Sequence, residues 1–411
     1  MTTQAVSTSP RAGDPRFGGL FDAAHALQPK TVALRRQLHT HPELGLDLPR
    51  TQAAVVAALQ GTGLRLHTGK NVSSVVGVLE GERPGPTVLL RGDMDALPLQ
   101  EDTGLAYASE VDGAMHSCGH DTHVAMLASA ARLLSERRAD LAGQVVFMFQ
   151  PGEEGFYGAR YMIEEGVLEA AGRPVERALA LHITSKETSG MLRCRPGPMM
   201  ASANSFTVIV TGKGGHASNP SDAIDPVPAA AAMVGALQTL VTRRISVFEP
   251  TVVTIAKIAA GTTSNIIPET AELQGTLRTL SEAARATMLA EIPKVCTQIG
   301  AAHGCTVEFT VDAGYPVTIN DDAVAAQLQE IAAAAVGPNH VGLMPNPLMG
   351  AEDFSYVLQR VPGAMAFLGA CPPGVDPAEA APNHSNRVHF DEAALPYGVA
   401  TYAAFALDAL R

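Results

Sequence analysis

The segment MHSCGHDTH (115–123) packs three histidines, a cysteine and an aspartate into nine positions. Sulfur and imidazole donors at such density suit a transition-metal ion. Cys118 and His120 lie two positions apart and cannot share a helix face. Gly119 between them predicts a tight loop, with Asp121 or Thr122 capping the helix that follows. A loop meeting a helix N-terminus presents a thiolate and an imidazole to one ion, and the helix end is expected to lower the cysteine pKa. His123 then falls in the first helical turn, away from the ion. Other candidate donors are scattered along the chain. QVVFMFQ runs into PGEEG, which sets Glu153 beside Glu154; RALALHI closes on His182; TVLLRG leads to Asp93 and Asp95. PNHSNRVHF offers His384 in a turn-like context, with His389 read as a strand residue. Taken singly, each has a plainer reading as a solvated carboxylate or a surface histidine.

The elements that would carry these residues make the metal reading stronger. Ser73–Leu79, Thr87–Leu90, Gln144–Phe149 and Arg177–Leu181 read as buried strands, and Thr51–Leu59 and Val124–Leu134 as helices. In the second helix Met126, Leu127, Ala130, Leu133 and Leu134 form one apolar stripe. Strands alternating with helices predict an open α/β sheet covered on both faces. Ligands of such sheets bind beyond the carboxyl ends of the strands, which is where Asp93, Asp95, Glu153, Glu154 and His182 fall.

The pattern changes at RPGPMMASAN (195–204). A strand (Ser205–Thr211), a helix (Asp225–Arg243), strands within Thr251–Ile258 and Glu272–Thr279, a helix (Ser281–His303) and a strand (Thr306–Asp312) follow. This order is that of a ferredoxin-like split unit. The expected organisation is a disordered arm over 1–20, a catalytic metal-binding domain from 21–198 and 315–411, and an inserted lid or dimerisation domain over 199–314.

Composition narrows the function classes. A net charge of −12 argues against a nucleic-acid partner. No apolar stretch is long enough to span a bilayer, and the N-terminal MTTQAVSTSPRAGDPRFGG lacks a signal-peptide core. Five scattered cysteines (Cys118, Cys194, Cys296, Cys305 and Cys371) are no disulfide framework and suggest a reducing, cytoplasmic setting.

In HTHPELGL (39–46), RGDMDALPLQE (91–101), MHSCGHDTH (115–123), QPGEEG (150–155), GKGGHAS (212–218), GTTSNIIPE (261–269), GAEDFS (350–355) and NHS (383–385), the sequence resembles the M20 metallopeptidase family. The likeness is to its amidohydrolase branch of hippurate hydrolases, N-acyl amino acid amidohydrolases and auxin-conjugate hydrolases. The resemblance implies a zinc-aminopeptidase-like catalytic domain with an open mixed sheet and an inserted α+β lid. It implies two divalent ions (zinc or manganese, with cobalt or nickel as alternatives), bridged by Cys118 and bound by His120, Glu154, His182 and His384. Glu153 would be the general base, Asp95 would orient a ligand imidazole, and His216 in the lid would donate to the oxyanion. Asn265 and Arg278 are candidates for substrate contact. The implied reaction is hydrolysis of an N-acyl amino acid by a homodimer or homotetramer assembled through the lid. A dipeptidase, an N-acetyl-diaminopimelate-type deacetylase and a non-catalytic metal-dependent binding protein are the alternatives. Three stretches depart from the branch's usual pattern: QPGEE, FYGAR after EEG, and ITSKETSG after His182. Phe156 and Tyr157 are read as packing first, with an acyl pocket as the alternative.

Overall fold

A computed structural model describes residues 17–411, in two compact units. The first comprises the chain up to Gly197 with Ile319–Pro345 and Tyr356–Arg411; the second comprises Pro198–Thr318 and Asn346–Ser355. Residues 1–16 of the expected arm lie outside the described residues. Its last residues do not belong to an arm: Phe17 and Leu20 are buried in the core, and Leu20 opens a helix.

The first unit is built on an eight-stranded sheet. Four neighbouring strands, Ala142–Gln150, Arg83–Asp93, Arg177–Thr184 and Gly363–Gly369, run parallel. Antiparallel Val75–Glu80 and Arg65–Thr68 extend one side. On the other side Leu192–Cys194 pairs antiparallel with Gly363–Gly369, and Val341–Leu343 completes that edge. The central strands are buried along nearly their whole length. They read as unbroken apolar runs because helices cover parallel strands. The helices His120–Glu136, Asp322–Val336 and Leu395–Ala409 supply much of that cover through one continuous apolar core.

In the second unit the strands Asn204–Thr211, Thr251–Ala260, Thr270–Thr279 and Thr306–Asp312 form an antiparallel sheet. The first strand lies between the third and fourth, and the second forms an edge. With the helices Pro226–Arg244 and Glu282–Ala302 this is the ferredoxin-like arrangement. Alternate residues such as Phe206, Val208 and Val210 point into its own core, packed by Met233, Leu237 and Met288. Asn346–Ser355 groups with this unit rather than with the sequence around it, because Leu348 and Gly350 share backbone hydrogen bonds with Met199 and Ala201. Among the described residues no helix is long and apolar enough to cross a membrane.

Candidate metal centre

Four segments of the first unit deliver side chains to one place. The loop 115–119 brings Cys118, and the helix after it begins at His120. Gly119 caps that helix at φ +87°, and a Cβ there would meet Ile183 Cγ2 at 2.4 Å. Only glycine fits both the conformation and the space. The expected caps are therefore not used. Asp121 is a first-turn residue whose carboxylate is spent on Arg35 and His39.

The second segment leaves the strand Ala142–Gln150 and turns through Gly152 (φ +70°), carrying Glu153 and Glu154. Both backbone N–H groups donate to the Asp95 carboxylate, at 2.9 and 3.0 Å. His182 lies in the strand Arg177–Thr184, and its Nδ1 is 2.7 Å from the Ile183 carbonyl, which leaves Nε2 facing the cluster. His384 comes from a turn in which it adopts φ +69°, a left-handed conformation that non-glycine residues enter at a cost.

These donors converge on one sulfur. Cys118 Sγ lies 3.4 Å from His182 Nε2 and 3.3 Å from His384 Nε2, and His384 Nε2 is 3.2 Å from Glu154 Oε1. Three groupings, Cys118–His120–His182, Cys118–Glu154–His384 and His120–Glu153–Glu154, each keep their ligand atoms within 4.8 Å of one another. Both ring nitrogens of fully buried His120 lack a hydrogen-bond partner. A buried polar group left so costs roughly 1–3 kcal/mol, and a divalent cation among these donors removes the deficit. The donor set fits metal.

Charge in the cluster follows from burial. Burial and the neighbouring Glu154 carboxylate push the Cys118 thiol up, contrary to the lowering expected from the helix end. A divalent cation held by these residues would favour the thiolate, because metal binding displaces the thiol proton. Hydrogen bonds to Cys118 and Glu154 push His384 up to about 10. Burial and the nearby His123 hold His182 well below the usual histidine range, neutral and ready to ligate.

Both ring nitrogens of His123 are engaged. Its Nδ1 pairs with Asp93 and its Nε2 accepts the Ile183 N–H at 2.8 Å. Asp93 also takes Arg91 Nη1 at 2.6 Å. Asp95 stands 3.6 Å from His120 Nδ1 and also holds the Glu153–Glu154 backbone. His389 is not on a strand, since 388–390 form no ladder.

The remaining candidates belong to the second unit. His216 is exposed on a two-residue strand paired with Ile266–Ile267. Its Nδ1 takes the Ser218 N–H at 3.1 Å, with the Ser218 hydroxyl at 2.8 Å. That fixes the tautomer with the hydrogen on Nε2. Asn265 is exposed, its Oδ1 accepting from Thr263 at 2.9 Å, while its carbonyl takes the Ala217 N–H beside His216. Arg278 is half-buried with Nη1 unpartnered, and burial alone lowers its pKa.

Two features escaped the sequence reading. Asn383 donates from Nδ2 to the carbonyls of Cys118 and Ile183, both at 3.0 Å, so one amide ties together the segments carrying the candidate donors Cys118, His182 and His384. Its place beside His384 was the sole signal. Arg35 and His39 join Asp121 in a buried network, and nothing local to either residue announces it.

Residues 89–408 match the model of Peptidase family M20/M25/M40. The chain is 38% identical over 381 residues to thermostable carboxypeptidase 1 of Saccharolobus solfataricus, covering 92% of this chain and 94% of that protein. It is 37% identical to N-acetylcysteine deacetylase of Bacillus subtilis, over 84% of this chain and 90% of the relative. Among solved structures, the Bacillus subtilis YXEP protein, a dinuclear metal-binding peptidase of the M20 family, superposes with a TM-score of 0.80 at 32% identity, covering 94% and 99% of the two chains. A family match over most of the chain, with relatives this similar, establishes that the chain belongs to peptidase family M20/M25/M40 and is a hydrolase of its amidohydrolase kind.

Proposed function

We propose that the protein hydrolyses the amide bond of N-acyl amino acids, with two divalent ions held by Cys118, His120, Glu154, His182 and His384. One observation carries the reading: donors from four segments meet around Cys118 Sγ, with His182, His384 and Glu154 arranged about it. Sulfur and imidazole favour zinc, and the carboxylate also accommodates manganese, cobalt or nickel. Ions in such a site supply Lewis acidity, making water a nucleophile near neutral pH and drawing charge from the scissile carbonyl.

The protein's own groups do the rest. Glu153, buried beside Glu154 and held by Asp95 through its backbone, takes the proton of the attacking water and passes it to the departing amine nitrogen. His216, with its hydrogen on Nε2, donates to the oxyanion, contributed by the lid of a second copy in a homodimer or homotetramer. Arg278 grips the substrate carboxylate through its unpartnered guanidinium, and Asn265 adds a polar contact. The expected compartment is the cytoplasm.

A relative named N-acetylcysteine deacetylase favours the N-acyl substrate, and one named carboxypeptidase favours a peptide as the second reading. A substrate panel with released amine as the readout separates them. Glu153→Gln tests the mechanism. Metal content should be kept while turnover falls roughly a hundredfold or more, the scale of general acid–base catalysis. Turnover within a few-fold of wild type removes Glu153 as the base.

A further inference from the structure

The strand Arg83–Asp93 and its parallel neighbour Arg177–Thr184 are paired as far as Arg91 and Ala180. Two residues further along each strand stand Asp93 and His182. The helix His120–Glu136 packs against both strands, and Gly92 lets it come close: a Cβ there would lie 3.0 Å from the His123 carbonyl oxygen. His123 therefore links the two strand ends. Its Nε2 accepts the Ile183 N–H at 2.8 Å, so its hydrogen sits on Nδ1 and is donated to Asp93 Oδ1. The other Asp93 oxygen takes Arg91 Nη1 at 2.6 Å and lies 3.5 Å from His120 Nε2. Arg91, Asp93, His120 and His123 are all fully buried.

Ile183 is held at both of its backbone groups. Its N–H goes to His123, and its carbonyl takes His182 Nδ1 at 2.7 Å and Asn383 Nδ2 at 3.0 Å. That carbonyl sets the direction of the His182 ring, whose Nε2 lies 3.4 Å from Cys118 Sγ. The ring is also confined by its neighbours. Phe367 stacks on it at 5.1 Å between centroids, and the His123 ring meets it edge-on at 4.7 Å. Burying a carboxylate, a guanidinium and an imidazole has a desolvation cost that an apolar side chain at this place would avoid. What the chain of hydrogen bonds adds is a fixed direction for the Ile183 backbone, and so for His182.

We propose that His123, oriented by Asp93 and Arg91, is a positioning residue for metal binding: through the Ile183 backbone it aims His182 Nε2 into the donor cluster. This rests on the reading of that cluster as a metal site. His123 acts through the lone pair on Nε2, not through its volume, and that distinction separates aiming from packing.

Two substitutions divide the imidazole between them. In His123→Gln the amide oxygen reaches the place of Nε2 and still accepts the Ile183 N–H. In His123→Asn the amide nitrogen stands near the place of Nδ1, which keeps Asp93 and loses Ile183. Zinc is titrated into the metal-free protein in competition with a chromophoric chelator, and thermal midpoints of the metal-free forms show whether each variant is folded. Affinity should fall roughly 10–100-fold in His123→Asn, the scale for residues that orient ligands, and stay within a few-fold of wild type in His123→Gln. Unchanged affinity in His123→Asn overturns the proposal by itself. An equal loss in both folded variants also overturns it, because His123 would then be a ligand or a filler. Wild type that takes up no zinc removes the metal reading, and the proposal with it. No substrate enters the titration, so a wrong substrate assignment leaves these outcomes as they are.

Discussion

His120 and Asp121 are consecutive residues at the start of one helix, yet they belong to buried polar clusters of opposite character. Asp121 has its charge matched through Oδ2: Arg35 Nε donates to it at 2.8 Å and His39 Nδ1 lies 2.9 Å away, while the buried Oδ1 has no hydrogen-bond partner. Arg35 reaches on to Tyr107 and Glu392, and His39 to Glu101 at 3.3 Å. Cations and anions alternate there. His120, one residue earlier, has neither ring nitrogen hydrogen-bonded; around it stand the Cys118 thiol, the His123 and His182 imidazoles, and the carboxylates of Asp93 at 3.5 Å, Asp95 at 3.6 Å and Glu154 at 3.9 Å. A buried cluster whose charges pair internally is structural, and one that gathers converging donors around an imidazole with no hydrogen bond is built for something else. His116 refines the rule. It too is buried with both nitrogens unpartnered, and burial pushes it down to about 3. Among the described residues it joins no set of converging donor atoms, so incompleteness marks a metal site only where several donors meet.

The contrast breaks if the matched cluster proves dispensable. Arg35→Met strands Asp121 in the interior, and removing one partner of a buried pair costs about 3–5 kcal/mol. Urea unfolding should show a loss of that size; a loss below about 1 kcal/mol contradicts the structural role. The same cluster predicts a pH dependence. Burial opposes protonation of His39, but Asp121 prevails and raises its pKa to about 9. Against an unfolded value of about 6.5, this stabilisation is present in full below pH 6.5 and is lost as pH climbs through 9. The stability gap between wild type and His39→Gln should therefore be widest near pH 6 and shrink by up to roughly 3 kcal/mol by pH 10. A gap that does not change with pH contradicts a charged His39.

The incomplete cluster responds in a different quantity. Asn383→Asp keeps the shape but replaces two donated hydrogen bonds with an oxygen facing two carbonyls. Metal affinity should fall roughly 10–100-fold, as for other residues that support ligands, with little change in thermal midpoint for the metal-free protein. Unchanged affinity removes Asn383 as a brace.

The two clusters also differ in how far the sequence revealed them. Cys118, His120, Glu154 and His182 stand at strand or helix ends, where periodicity places a ligand crevice; the resemblance to the M20 family is what names them, with His384, as the candidate ligand set. Asn383 and Arg35 could not be, because their partners lie 265, 200 and 86 positions away. The helix start was misread as capped by Asp121 or Thr122, since cap preference cannot anticipate that Arg35 and His39 claim Asp121. The ferredoxin-like unit was legible almost to the residue because its alternating strands and two helices are local patterns. The placement of Asn346–Ser355 depends on pairing with distant backbone, which no periodicity records.

Elemental analysis of the purified protein, beside Cys118→Ala, bears most directly on the reading of the incomplete cluster as a two-ion site. Two divalent ions per wild-type chain, with fewer in the variant, is the predicted result. Two ions retained without the Cys118 sulfur, or full amide hydrolysis by metal-stripped wild type, contradicts it.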